Sequence, residues 1–94
     1  MTVSLQAIPI VYFEEDSVII GHCVPLDVSS CGRDLSEAAR NIREAVGGFI
    51  ETCEEMGTLE EILEESGFLK DGAKWISPVF LSADNVDIRH RQDS

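Results

Sequence analysis

The chain has 94 residues, and 18 acids against 7 bases give it a net charge of −11. That length supports one domain with a single modest core, and so acidic a chain is repelled by phosphate backbones and anionic lipid, which argues against nucleic acid or membrane as a direct partner. No run of about 18 apolar residues is present and no basic segment followed by an apolar one opens the sequence, so neither a membrane span nor a signal peptide is expected, and the expected location is cytoplasmic. Cys23, Cys31 and Cys53 are an odd number without CxxC spacing, the pattern of free thiols packed as small hydrophobes in a reducing compartment.

From Val3 to Phe13 the sequence reads as one strand, with Val3, Leu5, Ala7, Val11 and Phe13 on one parity and Ile8, Ile10 and Tyr12 on the other. Both faces are apolar, so both call for cover, and Pro9, which cannot donate to a ladder, belongs at an edge or bulge. Glu14 to Ser17 make a polar break before Val18, Ile19 and Ile20 resume the pattern, which predicts a hairpin. After a turn at Pro25, a third strand is expected with Leu26 and Val28 inward and Asp27 and Ser29 outward.

Gly32 and Gly57 then bound a segment in which Leu35, Ala39, Ile42, Val46, Phe49, Ile50 and Cys53 recur at helical spacing. Asp34 is the expected N-cap with Glu37 three residues on, and Gly57 the expected left-handed C′ residue. Thr58 with Glu61 predicts a second capping box opening a short helix through Leu59, Ile62 and Leu63, closed by Gly67. A loop at Lys70-Asp71-Gly72 leads to a fourth strand, Trp75 to Leu81, which Pro78 confines to a sheet edge or to pairing with another chain. The reading is α+β, β-β-β-α-(short α)-β, an antiparallel sheet covered by one long helix in residues 1–82, followed by a polar tail over 83–94 whose last residues, Arg89 to Ser94, are frayed.

Charge is distributed unevenly along these elements. Between Glu44 and Leu69 lie eight glutamates and no lysine or arginine, so this stretch carries eight of the eleven excess negative charges. Glu51, Glu54 and Glu55 oppose the dipole at the C-terminal end of the long helix, and the pairs Glu51/Glu55, Glu60/Glu64 and Glu61/Glu65 are like charges at i and i+4, each unfavourable by roughly 0.2–0.5 kcal/mol. Gly47 and Gly48 interrupt the same helix, at a cost of about 1 kcal/mol each relative to alanine, and both fall on its polar side. A solubilising face and a weak or bent helix explain these features blandly. The sharper reading makes Glu44, Gly47, Gly48, Glu51, Glu54 and Glu55 a docking surface for a basic protein, the glycines permitting close backbone approach.

Catalytic constellations are not apparent. His22 and Cys23 are strand neighbours that point to opposite faces, the cysteines lack zinc-ligand spacing, and Cys53 belongs to the helix stripe. Glu14 and Asp16 flank an exposed turn without a desolvated cleft, and no glycine-rich phosphate loop occurs. No catalytic residue, metal or cofactor is therefore expected.

A hairpin, a Pro25-containing turn, a short polar strand ending in Gly32, and then a helix reading Leu35-Ser36-Glu37-Ala38, Asn41-Ile42 and Glu44-Ala45-Val46 resembles, in joint order and spacing, the HicB family of antitoxins. The resemblance covers about Val3 to Met56, and more loosely extends to Leu81. It implies a partial, degenerate ribonuclease H-like fold without nuclease activity, in a type II toxin–antitoxin system whose small basic (HicA-like) toxin degrades messenger RNA and is masked by the antitoxin. Many members continue into a DNA-binding domain, whereas here about a dozen residues with two arginines follow the expected fourth strand, as in short stand-alone members. Two other readings stay open. One is a residual metal-dependent ribonuclease H-like hydrolase, which needs acids such as Glu14, Asp16 and Asp27 to converge on a divalent ion. The other is an orphan homodimer or higher homo-oligomer of unknown ligand, joined through the outer sheet face or an exchanged Trp75 to Leu81 strand.

Overall fold

A computed structural model describes residues 4–79 and 81–91. In chain order the elements are β1 (Ser4–Gln6), β2 (Ile10–Glu15), β3 (Val18–Cys23), β4 (Val28–Gly32), α1 (Leu35–Met56), α2 (Leu59–Glu65), β5 (Leu69–Asp71) and β6 (Lys74–Ile76). They form an α+β fold with two three-stranded sheets, ordered β2-β3-β4 and β1-β6-β5, rather than the single sheet expected.

The first sheet is an antiparallel meander. Its β2–β3 hairpin closes through Asp16 and Ser17, whose φ angles of 52° and 68° are the both-positive signature of a two-residue type I′ turn, and the pairing Glu15↔Val18 follows from that turn. Between β3 and β4 the chain makes a turn over residues 24–27 in which Asp27 has φ 55° and its N–H donates to the Cys23 carbonyl at 2.9 Å. Leu26 thus reaches the core from a turn, and the third strand of the meander begins two residues later than its alternation predicts.

The expected Val3–Phe13 strand is interrupted; Val3 itself lies outside the described residues. Ala7 takes φ 58°, a left-handed value that breaks an extended ladder, and Pro9 follows with no N–H to offer. The two halves consequently serve different sheets. β1 pairs in parallel with β6, Leu5 opposite Trp75, and the Ser77 N–H donates to the Gln6 carbonyl at 3.1 Å.

Helix α1 covers one face of the meander, and its ends match their sequence signals. The Glu37 N–H donates to Asp34 Oδ1 at 2.8 Å. The Glu37 carboxylate reaches one residue further back than a capping box requires, accepting from the Arg33 N–H at 3.3 Å and from its guanidinium at 3.0 and 3.2 Å. At the other end Gly57, φ 74°, donates to the carbonyls of Cys53 and Glu54, and the Thr58 N–H also donates to Cys53 O, a left-handed C-cap. Ala38, Ile42 and Cys53 are buried, with Val46, Phe49 and Ile50 packed partly against the core. Leu35 shares the stripe's spacing but is 61% exposed, because the helix first meets the sheet at Ala38, whose backbone lies against Gly32.

Helix α2 docks Leu59 and Leu63 on the same core. The expected second capping box is not formed: the Thr58 hydroxyl donates to Cys53 O at 3.3 Å, so it serves the end of α1 instead of the start of α2. Beyond Gly67, where φ is 86°, Phe68 turns inward and a β5–β6 hairpin forms around Gly72, φ 63°. The expected Lys70-Asp71-Gly72 loop is thus half strand and half turn, and the expected Trp75–Leu81 strand is confined to Lys74–Ile76, paired within the chain on both sides. Phe80 and residues 92–94 lie outside the described residues. Trp75 is buried, and Lys70 holds its ammonium 5.7 Å from the indole centroid. A single cluster, Cys23, Leu26, Ile42, Cys53, Leu59, Leu63, Phe68 and Trp75, unites the two sheets and both helices.

Candidate functional site

The residues singled out as a docking surface all lie on α1 and all are exposed: Glu44, Gly47, Gly48, Glu51, Glu54 and Glu55. At 100° per residue they fall on the side of the helix opposite Ile42, so the fold gathers them on one solvent face. A β-carbon at Gly47 or at Gly48 would meet no atom within 4 Å. Nothing in the described chain therefore requires glycine at either position, and α1 bears their cost without a packing return of its own.

Electrostatics on this side of the molecule are largely uncompensated. Among the described residues the ion pairs are Arg33–Glu37 at 3.0 Å and Lys70–Glu60 at 3.2 Å, with the His22 imidazole 3.5 Å from the Asp27 carboxylate. Only Lys70 reaches into the glutamate-rich stretch, and it does so on α2, leaving Glu44, Glu51, Glu54 and Glu55 of α1 without an ion pair among the described residues. Mutual repulsion among them makes the face a sink for positive charge, screened by salt over about 10 Å at 0.1 M.

Beside this face lies a feature that periodicity alone does not expose. Ile8, just before β2, and Ile10 and Tyr12 on the even-numbered side of β2 form the floor of an open groove of about 380 Å³ walled by Arg43, Val46 and Gly47 of α1. It exists because α1 lies over β3 and β4 and covers the inner side of the edge strand β2 only in part. Gly47 borders both the groove and the acidic face. The shared parity of Ile8, Ile10 and Tyr12 was legible; their incomplete cover depended on where the helix would cross the sheet.

A second grouping was also missed. On the outer face of the meander His22 lies between two partners, its Nδ1 2.6 Å from Ser29 Oγ and its Nε2 3.5 Å from Asp27 Oδ1. The pairing His22↔Ser29 across β3 and β4 explains the first contact, and the left-handed Asp27 explains the second. Serine, histidine and aspartate in this order suggest nucleophile chemistry, but the Asp27 side chain is 92% exposed on an open face, where water screens it and no cleft orients a substrate. The trio is a surface grouping in which His22 and Ser29 share a hydrogen bond across the strands and Asp27 stands close by in the turn.

Other candidate groups are kept apart. Glu14 and Asp16 sit at the hairpin end of β3 and Asp27 at the opposite end, so these three acids do not converge, and among the described residues no three His, Cys, Asp or Glu side chains gather as a metal site. Cys23 and Cys53 are buried and Cys31 is exposed, all as free thiols. Burial pushes the Cys23 thiol up from its ordinary value, only partly opposed by a backbone hydrogen bond from Leu26, which keeps it protonated and unreactive. No described helix is long and apolar enough to cross a membrane. Compared with protein-family models, curated proteins and solved structures, the chain finds no match.

Proposed function

We propose that this chain is a non-catalytic binding protein of the HicB antitoxin type, whose acidic α1 face covers the cationic RNA-binding surface of a small basic toxin. The observation that carries the proposal is the solvent face of α1, where glutamates without an ion pair among the described residues and two glycines with open space at their β-carbon positions burden the helix. Their use is intermolecular: the carboxylates stand in for RNA phosphates, and the glycines let a partner's backbone approach. A meander of three antiparallel strands followed by a long helix on one face supports the finer fold assignment, the opening part of a degenerate ribonuclease H-like unit. The cytoplasm, where such toxins act, is the proposed location.

Co-expression with a small basic ribonuclease encoded beside this chain tests the proposal. Relief of toxicity and a complex that co-purifies at low salt are expected, and the triple reversal Glu51→Lys, Glu54→Lys, Glu55→Lys weakens that complex by at least about tenfold. Undiminished toxicity, or a complex indifferent to the reversal, overturns it.

A further inference from the structure

We infer that the open edge of β2 and the groove beside it receive the segment Asp84–Arg89 from a second copy of this chain, which adds to β2 as a parallel strand with Val86 and Ile88 seated in the groove. Three observations point there. The first is the edge itself. In the order β2-β3-β4 no strand among the described residues pairs with β2 on its outer side. The Val24 N–H donates to the Pro9 carbonyl at 3.2 Å, which makes that pair a hydrogen-bonded one. By the alternation of antiparallel ladders, the backbone groups of Ile10, Tyr12 and Glu14 then point to the open side. These are the residues whose side chains share the groove's face, so a strand bonded to that edge places alternate side chains beside Ile10 and Tyr12.

The second observation is the segment. Residues 81–91 are exposed throughout and belong to no helix or strand, yet Val86 and Ile88 are large apolar side chains two positions apart, 72% and 81% exposed. Such spacing puts both on one face of an extended strand, with Asn85, Asp87 and Arg89 on the other. The molecule is elongated, 54 × 30 × 27 Å, with a radius of gyration of 16.0 Å against roughly 12 Å for a compact chain of this length. A segment exposed along its whole length is free to meet another copy, and a two-fold pair exchanges it reciprocally.

Charge supplies the third observation and sets the direction. Arg89 and Arg91 follow the apolar pair and Asp84 precedes it, while β2 runs from Ile10 toward Glu14, Glu15 and Asp16 at the hairpin. Parallel addition sets Val86 beside Ile10, Ile88 beside Tyr12 and, on the opposite face, Arg91 beside Glu15 with Arg89 diagonal to it. Antiparallel addition would set Asp84 against the glutamates instead. This inference does not depend on a toxin partner, and its test contains only this chain.

Sedimentation velocity of the full chain from about 1 to about 100 µM reads the association directly. A reversible dimer is expected. Val86→Asp with Ile88→Asp, both at exposed positions, and separately Gly47→Phe, which fills the groove from a site with no neighbour within 4 Å, each abolish it without changing the circular dichroism. Arg89→Glu with Arg91→Glu weakens the dimer by about tenfold, and adding Glu15→Arg recovers part of that loss. A wild-type chain that stays monomeric overturns the inference, and so does a dimer unaffected by Val86→Asp with Ile88→Asp, which would place the contact on the outer sheet face. Protection of residues 84–89 from hydrogen exchange in a monomer overturns it in favour of docking on the chain's own groove.

Discussion

At Gly32 a β-carbon would lie 2.8 Å from the Glu37 carbonyl carbon and 2.9 Å from Ala38 Cα, and closer still to the Ala38 nitrogen. These are backbone atoms of a capped helix start, so they cannot yield as a flexible side chain would. Gly32→Ala is therefore expected to separate β4 from α1 at a cost of about 1–3 kcal/mol, seen as an earlier midpoint in urea. Five residues on, the Glu37 carboxyl is held below its ordinary value, first by the side-chain hydrogen bonds from Arg33 and then by the Arg33 N–H. A carboxylate depressed on folding contributes stability that is fully present above its unfolded value of about 4.3 and is lost as pH falls through the lower folded value. Glu37→Gln should thus be less stable than the parent at pH 7, and thermal melts should show the gap closing toward pH 3.

For α1 as an element, the helix reports its two ends and its buried stripe plainly in sequence. Asp34 and Gly57 carry the capping chemistry, and Ile42 to Cys53 carry the spacing. The strands were harder to place, for reasons that lie in single backbone angles. Nothing in the side chain of Ala7 announces φ 58°, and the left-handed Asp27 moved the start of β4 away from the first alternating residues. The short β5 and β6 were obscured because each gains its ladder from the other and from distant β1, not from a long pattern of its own. Gly47 and Gly48, by contrast, were legible as an anomaly and stay one in the fold, with open space where each β-carbon would be. Replacing both by alanine is expected to raise stability, by up to about 1 kcal/mol at each position in chemical denaturation. Loss of association with the fold intact would show that the glycines serve a contact; unchanged association would leave them without one.

In the whole molecule, acid is concentrated on the helices while the cations Lys70 and Lys74 lie on the small second sheet and Arg89 and Arg91 on the segment beyond it. The candidate surface was readable from this imbalance, because charge and helical phase need no tertiary information. The groove was not, since it depends on α1 crossing two of three strands. The parallel ladder between β1 and β6 has a further bearing on how the molecule assembles. Ser4 pairs with Lys74, 70 positions away, whereas the β2–β3 hairpin joins neighbours. Closing so long a loop costs chain entropy before any ladder bond repays it. Residues emerging from the ribosome can therefore fold the meander first, while β1 waits for β6, so the two sheets mature in order and the clasp between the chain's beginning and its late hairpin shuts last.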